Sequence, residues 1–383
     1  MNKEIISNEV QDYINANLKA DLHSFLLKKS PFENVSIQEI AQQIKGKQIA
    51  EKKFPFLLKE GIVFPPHLNL EQASSQNTAE YKSHIITGNS FIDLTSGLGI
   101  DAFFLSKNFQ EVTLVEQNAE LLKLVEHNWS ILNRNARFIN QNLEEFLDKN
   151  TQRFDVVYLD PARRDDKKNK VFLLEDLSPN ILEIQTQLLE ISETTIIKLS
   201  PLIDLKYLIS ELPTLFRIDI IAVKNEVKEV LIFLGKKEID QDIEIKCMNL
   251  DSSEPDFISN FEKEKASTAE YSDVMEYLYI PNNSILKAGF FNSISHQFQL
   301  KKLHPNTHFY TSNEEIKNFP GRIIKVEKID AKNIRKGDQY NIISKNYPLK
   351  PEEIKKKYKL KDGGSHYLIF TQSILGKIIL KSN

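Results

Sequence analysis

Up to about residue 83, apolar positions recur three and four apart. NEVQDYINANLKADLHSFLLKK and VSIQEIAQQIKGKQIAEKKFPFLL both carry this spacing, which predicts helices. Ser36 followed by Glu39 fits a capping box at the start of the second stretch. Pro65 and Pro66 in VFPPHL interrupt the pattern. LEQASSQNTAEYKSHIITG then restores it as far as Gly88. From about residue 90 the texture changes. SFIDLT, EVTLVEQ, ARFINQ, FDVVYLDP and TTIIKLSP are short β-rich runs, each followed by a helical one. RIDIIAVK and VKEVLIFLGKK lie close together, as in an antiparallel pair. This alternation predicts an α/β fold: a doubly wound, mostly parallel sheet with helices on both faces and one antiparallel strand near its edge.

Past residue 236, KKEIDQDIEIKCMNLDSSEPDF is polar and reads as a linker or edge element. EYLYIPNNSILKAGFFNSISHQFQLKKLHPNTHFYTS reads as strand, helix and strands, a small α+β module. The last stretch alternates strands with one basic helix, and LKDGGSHYLIFT with ILGKIIL predicts a terminal hairpin. The domains expected are a helical region over 1–83, a sheet domain over 84–236, a small α+β module over 237–319 and a basic domain over 320–383.

Composition adds three constraints. The chain of 383 residues is long enough for two or three domains. Its N-terminus lacks the apolar core of a signal peptide, and no run of about 18 apolar residues is present, so a cytoplasmic protein is expected. A single cysteine, Cys247, rules out an internal disulfide and a cysteine-rich zinc site. The histidines show no metal-ligand spacing, and no metal is expected. The net charge of −3 hides an asymmetry. Residues 320–383 hold 15 Lys and Arg against 6 Asp and Glu, a local excess of +9 that leaves −12 elsewhere. A basic domain on an acidic body points to a polyanionic partner, most often nucleic acid.

The candidate chemistry lies in FIDLTSGLGID. Gly97 and Gly99 follow a strand and open a helix, where backbone approaches a ligand closely and the helix dipole is positive. Gly97, Gly99 and Ala102 fit GxGxxA, which taken alone would also suit a dinucleotide dehydrogenase. Three acids argue otherwise. Asp93 stands before the glycines, where it would repel a pyrophosphate but accept from an ammonium. Glu116 ends the next strand and can take two ribose hydroxyls. Asp160 ends the fourth. In open α/β sheets, strand ends converge on one crevice.

DLTSGLGID, VEQN, Asn142 after the third strand, and LDPARR together resemble the class I S-adenosylmethionine-dependent methyltransferases over roughly residues 75–235. The resemblance implies a Rossmann-like seven-stranded sheet and a methyl-donor pocket. Asp93, Thr95, Gly97 and Gly99 would form its floor, with Asp101 beside them; Glu116 would hold the ribose, and Asn142 would lie near the adenine. Asp160 and Pro161 would face the methyl group and its acceptor. Many relatives acting on nucleic-acid amines carry a second proline and an aromatic here, where this chain has Ala162 and Arg163. Arg163, Arg164 and Lys198 are expected to grip substrate phosphate or a base edge. Lys198 and Ser200 end the fifth strand, and Gln76, Thr78 and Tyr81 are placed to cap the pocket from outside. Tyr358, within the KKKYKLK run, is a candidate at a phosphate contact. A C5-uracil methyltransferase needs a nucleophilic cysteine, and Cys247 lies outside the crevice in this reading.

FPGRIIKV and DGGSHYLIF extend the likeness to bacterial methyltransferases with a THUMP-like C-terminal domain, and the module over 237–319 would be ferredoxin-like. The resemblance implies S-adenosylmethionine as cofactor and an RNA base, of tRNA or rRNA, as acceptor. The alternatives are an RNA-binding protein that has lost catalysis and a nucleotide-dependent dehydrogenase.

Overall fold

The computed structural model describes residues 2–66, 70–71, 73–163, 172–236 and 242–382. These divide into two compact units, 1–215 with 231–238, and 216–230 with 239–383.

The first unit opens with helices Asn8–Ala16, Leu22–Phe25 and Ile37–Lys53. The expected capping box is in place: the Glu39 amide donates to Ser36 Oγ at 3.2 Å, and the Ser36 amide donates back to Glu39 Oε2 at 2.8 Å. The apolar faces of these helices enclose Ile14, Phe25, Ile40 and Ile44. The end of the long helix joins a second cluster, where Ala50, Phe54 and Phe64 meet Ala79, Ile100 and Phe104. Burial of such side chains stabilises by about 1.5–3 kcal/mol each. The segment before the prolines is fastened by side-chain amides as well. Asn128 bonds both the Val63 amide and the Val63 carbonyl, at 2.9 and 2.8 Å, and Gln43 Oε1 accepts from the Phe64 amide. The N-terminal helices are thereby tied to the helix Ala119–Ile131.

Strands β1 (Ser90–Asp93), β2 (Glu111–Val115), β3 (Arg137–Ile139) and β4 (Phe154–Leu159) follow the expected runs. Two short strands, β5 (Ala162–Arg163) and β6 (Leu177–Ser178), pair antiparallel after β4. Then come β7 (Ser192–Leu199), β8 (Leu215–Val223) and β9 (Glu226–Gly235). β1 pairs in parallel with β2 and with β4, β2 with β3, and β4 with β7. β8 and β9 are neighbours joined by Lys224 and Asn225, both at positive φ (50° and 68°), the two-residue turn that suits an antiparallel hairpin.

The strand order β3-β2-β1-β4-β7-β9-β8 supplies the seven strands expected. β10 (Glu244–Leu250) and β11 (Phe257–Ser259) extend the sheet to nine. They come from the polar stretch after residue 236. Ile245 and Cys247 alternate with polar residues there, and they and Met248 are buried along β10. The order reverses between β1 and β4, and such a switch point opens a crevice at the carboxyl ends of the strands.

In the second unit, a seven-stranded sheet runs in the order β13-β14-β12-β15-β18-β17-β16. Its strands are β12 (Tyr277–Pro281), β13 (Lys301–His304), β14 (Thr307–Ser312), β15 (Gly321–Lys328), β16 (Gln339–Ser344), β17 (Lys361–Ser373) and β18 (Gly376–Ser382). The terminal hairpin is formed by β17 and β18, antiparallel from Leu368 to Ser373. Gly363 and Gly364 sit in β17 at φ of 93° and 89°, where its pairing with β16 shifts register, rather than in the hairpin turn.

Candidate donor and acceptor cleft

A cleft of about 680 Å³ opens at the carboxyl ends of β1, β2, β4 and β7, a size suited to a nucleoside-containing ligand. Of the expected residues, Asp93, Thr95, Gly97, Asp101, Glu116, Asn142, Asp160, Pro161, Arg163 and Lys198 line it. Arg164 lies outside the described residues.

One wall is built from backbone and carboxylate. Gly97 and Gly99 sit at φ of 51° and 67°, the left-handed region that glycine enters without strain. Their surroundings differ. A Cβ on Gly99 would stand 2.9 Å from the Trp129 indole nitrogen and 3.0 Å from Val125, so Gly99 allows the turn to press against the helix behind it. A Cβ on Gly97 would meet only a carbonyl at 3.9 Å and otherwise protrude into open space, where a ligand would lie. Gly99 lines no part of the cleft, in contrast to the floor position expected of it. Trp129 is buried edge-on to Phe103 and Phe138.

The Gly97 amide donates to Glu116 Oε2 at 3.0 Å, and the Asn118 amide donates to Oε1 at 2.8 Å. Each carboxylate oxygen keeps a further lone-pair direction for a hydroxyl donor. Asn142 caps the helix Leu143–Lys149, its Oδ1 accepting from the Glu145 amide at 2.7 Å, while the residue remains in the cleft lining.

The other wall is an ion network. Asp101 is at its centre, with a side chain only 9% exposed. Lys82 Nζ lies 2.7 Å from Oδ1, and its side chain is completely buried. Oδ2 accepts from Ser74 Oγ and from the Tyr158 hydroxyl, each at 2.7 Å, and lies 3.2 Å from Lys198 Nζ. Lys198 also donates to Ser74 Oγ at 2.9 Å and forms an ion pair with Asp160 Oδ2. Asp160 is the outermost member, with a side chain 37% exposed. Its amide donates to Thr95 Oγ1 at 2.7 Å, which ties the β4 end to the glycine turn.

These contacts revise several expectations. Lys198, expected at a substrate phosphate, is paired with Asp101 and Asp160. The Thr95 hydroxyl is used by the Asp160 backbone. Asp101 is a hub for two lysines. Gln76, Thr78 and Tyr81 are absent from the cleft lining, where Ala73 and Ser74 stand instead. Gln76 accepts from the Phe56 amide and donates to Glu80, and Thr78 bonds back to Ser75. The Ser200 hydroxyl accepts from the Leu202 amide. The Arg163 guanidinium lies 4.6 Å from the centre of the Phe172 ring, a cation–π contact.

The charge states follow from burial and neighbours. Burial pushes the Asp93 carboxyl well above its usual range, and the nearby Asp101 and Asp160 charges push the same way. Burial also acts to raise Asp101, but Lys198 and Lys82 outweigh it and hold that carboxyl below its ordinary value. Asp160 is raised by its withdrawal from water, against the pull of Lys198.

Ser74, Lys82 and Tyr158 were missed by sequence reasoning. Thr78 and Lys82 are four apart in the helix Gln76–Lys82, so they share a face, and Thr78 is buried. A lysine on the buried face of a helix needs an anion, which was the available signal.

Elsewhere, no group of three or more His, Cys, Asp and Glu capable of holding a metal occurs among the described residues. None of their helices is long and apolar enough to cross a membrane. Cys247 is buried in β10. In the basic domain, Lys356, Lys357 and Lys359 are exposed, whereas Tyr358 packs on Phe370 with ring centres 5.8 Å apart.

Comparison with known proteins agrees with this geometry. Residues 73–193 match the family described as conserved hypothetical protein 95, 277–320 match a ferredoxin-like domain, and 322–379 match a THUMP domain-like family. An uncharacterised RNA methyltransferase of Mycoplasma mobile is 27% identical over 149 residues, which cover 37% of this chain and 41% of that protein. The chain thus aligns with about two-fifths of that relative's length. A crystal structure of a candidate methyltransferase from Porphyromonas gingivalis is 28% identical, covers 100% of this chain and 98% of its own, and superposes with a TM-score of 0.88. The chain therefore has the architecture of a class I methyltransferase with a C-terminal THUMP-like domain, in a layout shared along its whole length with the Porphyromonas protein.

Proposed function

We propose that this protein transfers a methyl group from S-adenosylmethionine to a base of RNA, in tRNA or rRNA. The observation that carries the reading is the Gly97–Glu116 wall. An open glycine, a backbone amide and a carboxylate at the end of the second strand together suit the ribose of a nucleoside cofactor. Asp93 suits the donor's amino-acid end, because an ammonium beside it would favour the ionised form that burial disfavours.

The donor's sulfonium supplies an activated methyl group for in-line displacement. The protein's part is to align the acceptor, exclude water and receive a proton where the acceptor has one to lose. Asp160 is the group placed for this. One oxygen is taken by Lys198, which leaves the other to accept from an acceptor N–H or O–H. Arg163, stacked on Phe172 at the cleft rim, is the candidate contact for the acceptor's phosphate or base edge. The RNA Methyltransferase relative from Mycoplasma mobile and the match of residues 322–379 to a THUMP-like family support RNA as the acceptor class. So does the positive charge of residues 320–383.

The test is transfer of labelled methyl to unmodified tRNA and rRNA transcripts by the purified protein. Label in RNA that disappears with Asp160→Ala supports the reading. RNA binding without transfer, at saturating S-adenosylmethionine, would favour the alternative of an RNA-binding protein without catalysis.

A further inference from the structure

Asp160 owes its position to charges behind it. The charged groups acting on it are Lys198 from β7, Asp101 from the helix Ile100–Leu105, Lys82 from the helix Gln76–Lys82, and Asp93 from the end of β1, while the Tyr158 hydroxyl of β4 donates to Asp101. The charges alternate inward: Asp160, Lys198, Asp101, Lys82. Each step is a direct ion pair, and exposure falls along the series from Asp160 to the fully buried Lys82. Ser74 Oγ serves as a shared junction, accepting from both ammonium groups and donating to Asp101.

We propose that Lys82 is a positioning residue for Asp160: by neutralising Asp101 from behind, it leaves Lys198 to bridge forward and hold the Asp160 carboxylate at the cleft. This rests on the methyltransferase reading for its purpose, but the electrostatic arrangement stands by itself. Lys198 has two anions to serve. With Lys82 present, Asp101 has a second cation and two hydroxyl donors, so it competes weakly for Lys198. Without Lys82, Asp101 is a buried carboxylate whose only cation among these groups is Lys198, and a buried charge draws its partner closely. Lys198 would then turn inward, and Asp160 would lose its counter-charge. The closeness of Asp101 and Asp160 to one another adds to the effect, since both act on a single ammonium. Lys82 touches neither the cleft surface nor any reacting atom, so its influence reaches the acceptor only through Lys198.

The experiment is a carboxyl-carbon NMR titration of Asp160, in full-length protein labelled at aspartate, with the signal assigned by Asp160→Asn. Wild type is compared with Lys82→Met and with the double variant Lys82→Met/Asp101→Asn. The double variant removes both charges of the deepest pair, which guards against misfolding from an unpaired buried carboxylate. Lys82→Met is expected to raise the Asp160 midpoint by about 1 pH unit, the size of losing an adjacent opposite charge. The double variant is expected to return it to the wild-type value or below, because Lys198 then serves Asp160 alone. Tyr158→Phe, which removes a hydrogen bond from Asp101 but no charge, is expected to move it far less. Should Lys82→Met not fold, a midpoint in the double variant above that of wild type overturns the proposal. An unmoved midpoint in folded Lys82→Met overturns it too, as does a shift of equal size in Tyr158→Phe. S-adenosylmethionine binding, measured calorimetrically on the same samples, tests the methyltransferase reading separately. Its failure in wild type would sink that reading and leave the titration result interpretable.

Discussion

The two walls of the cleft are built on different principles. The Gly97–Glu116 wall uses backbone amides, a left-handed turn and one carboxylate whose ligand-facing lone pairs stay available. The Asp160–Lys198 wall uses side chains from five separate elements, locked by charge and largely removed from water. The first is a template that a ligand completes. The second is complete without one and presents a single carboxylate outward. The difference implies that damage to the first wall removes binding while the fold survives, whereas damage to the second costs the fold before it costs binding.

Three experiments put pressure on that contrast, from the largest effect to the smallest. Asp101→Ala removes the carboxylate paired with the fully buried Lys82 and leaves Lys198 with Asp160. Breaking buried pairs in this way costs about 3–5 kcal/mol, so the urea midpoint should fall steeply. A loss below about 1 kcal/mol would mean that the network is not what holds that wall.

The two glycines divide the first wall by role. Gly99→Ala places a methyl group against Trp129 and Val125 at positive φ, and should cost about 1–3 kcal/mol of stability. Gly97→Ala meets no such obstacle and should cost only the backbone term, about 1 kcal/mol, yet it should weaken S-adenosylmethionine binding the more of the two. Equal losses of stability, or donor binding intact in Gly97→Ala, would break the distinction.

The smallest effect is a pH dependence that opposes stability to binding. The folded-state pKa of Asp93 is raised, so its contribution to stability is lost as pH climbs from the ordinary carboxylate range through that folded value. An ammonium donor needs the ionised form. Affinity for S-adenosylmethionine should therefore rise by up to about tenfold per pH unit below the Asp93 midpoint and level off above it. Asp93→Asn should flatten this rise. Calorimetry from acid to neutral pH, alongside urea midpoints of the free protein, checks both trends.

The contrast between the walls also explains what the sequence disclosed. The Gly97–Glu116 wall could be read because its parts fall at or just after the ends of two successive strands. DLTSGLGID and VEQN name Asp93, Gly97 and Glu116 by position alone. The alternation of strands and helices located β1 to β4 and β7 to β9 because local period reports local structure; the two-residue β5 and β6 are too short to carry such a period. The ion network could not be read in this way. Ser74, Lys82, Asp101, Tyr158, Asp160 and Lys198 are separated by up to 124 residues, and only the sheet order brings them together. Lys198, taken alone at the end of IIKLSP, looks like a surface lysine or a phosphate contact. Only Asp101 and Asp160 on either side of it reveal its role. The stretch after residue 236, read as a linker or edge element, supplies β10 and β11 at the sheet edge, where polar residues alternate with Ile245 and Cys247.

The most direct test of the account is calorimetric binding of S-adenosylmethionine to the full-length protein, with NAD as the competing ligand and Glu116→Gln as the variant. A bond from a hydroxyl to a charged carboxylate contributes about 1.5–3 kcal/mol. The account predicts saturable binding of S-adenosylmethionine, no binding of NAD, and a loss of about 10- to 100-fold in Glu116→Gln, with the urea midpoint lowered only by the one backbone bond that glutamine cannot accept, about 1 kcal/mol. Binding of NAD in place of S-adenosylmethionine, or binding of S-adenosylmethionine indifferent to Glu116, would contradict it.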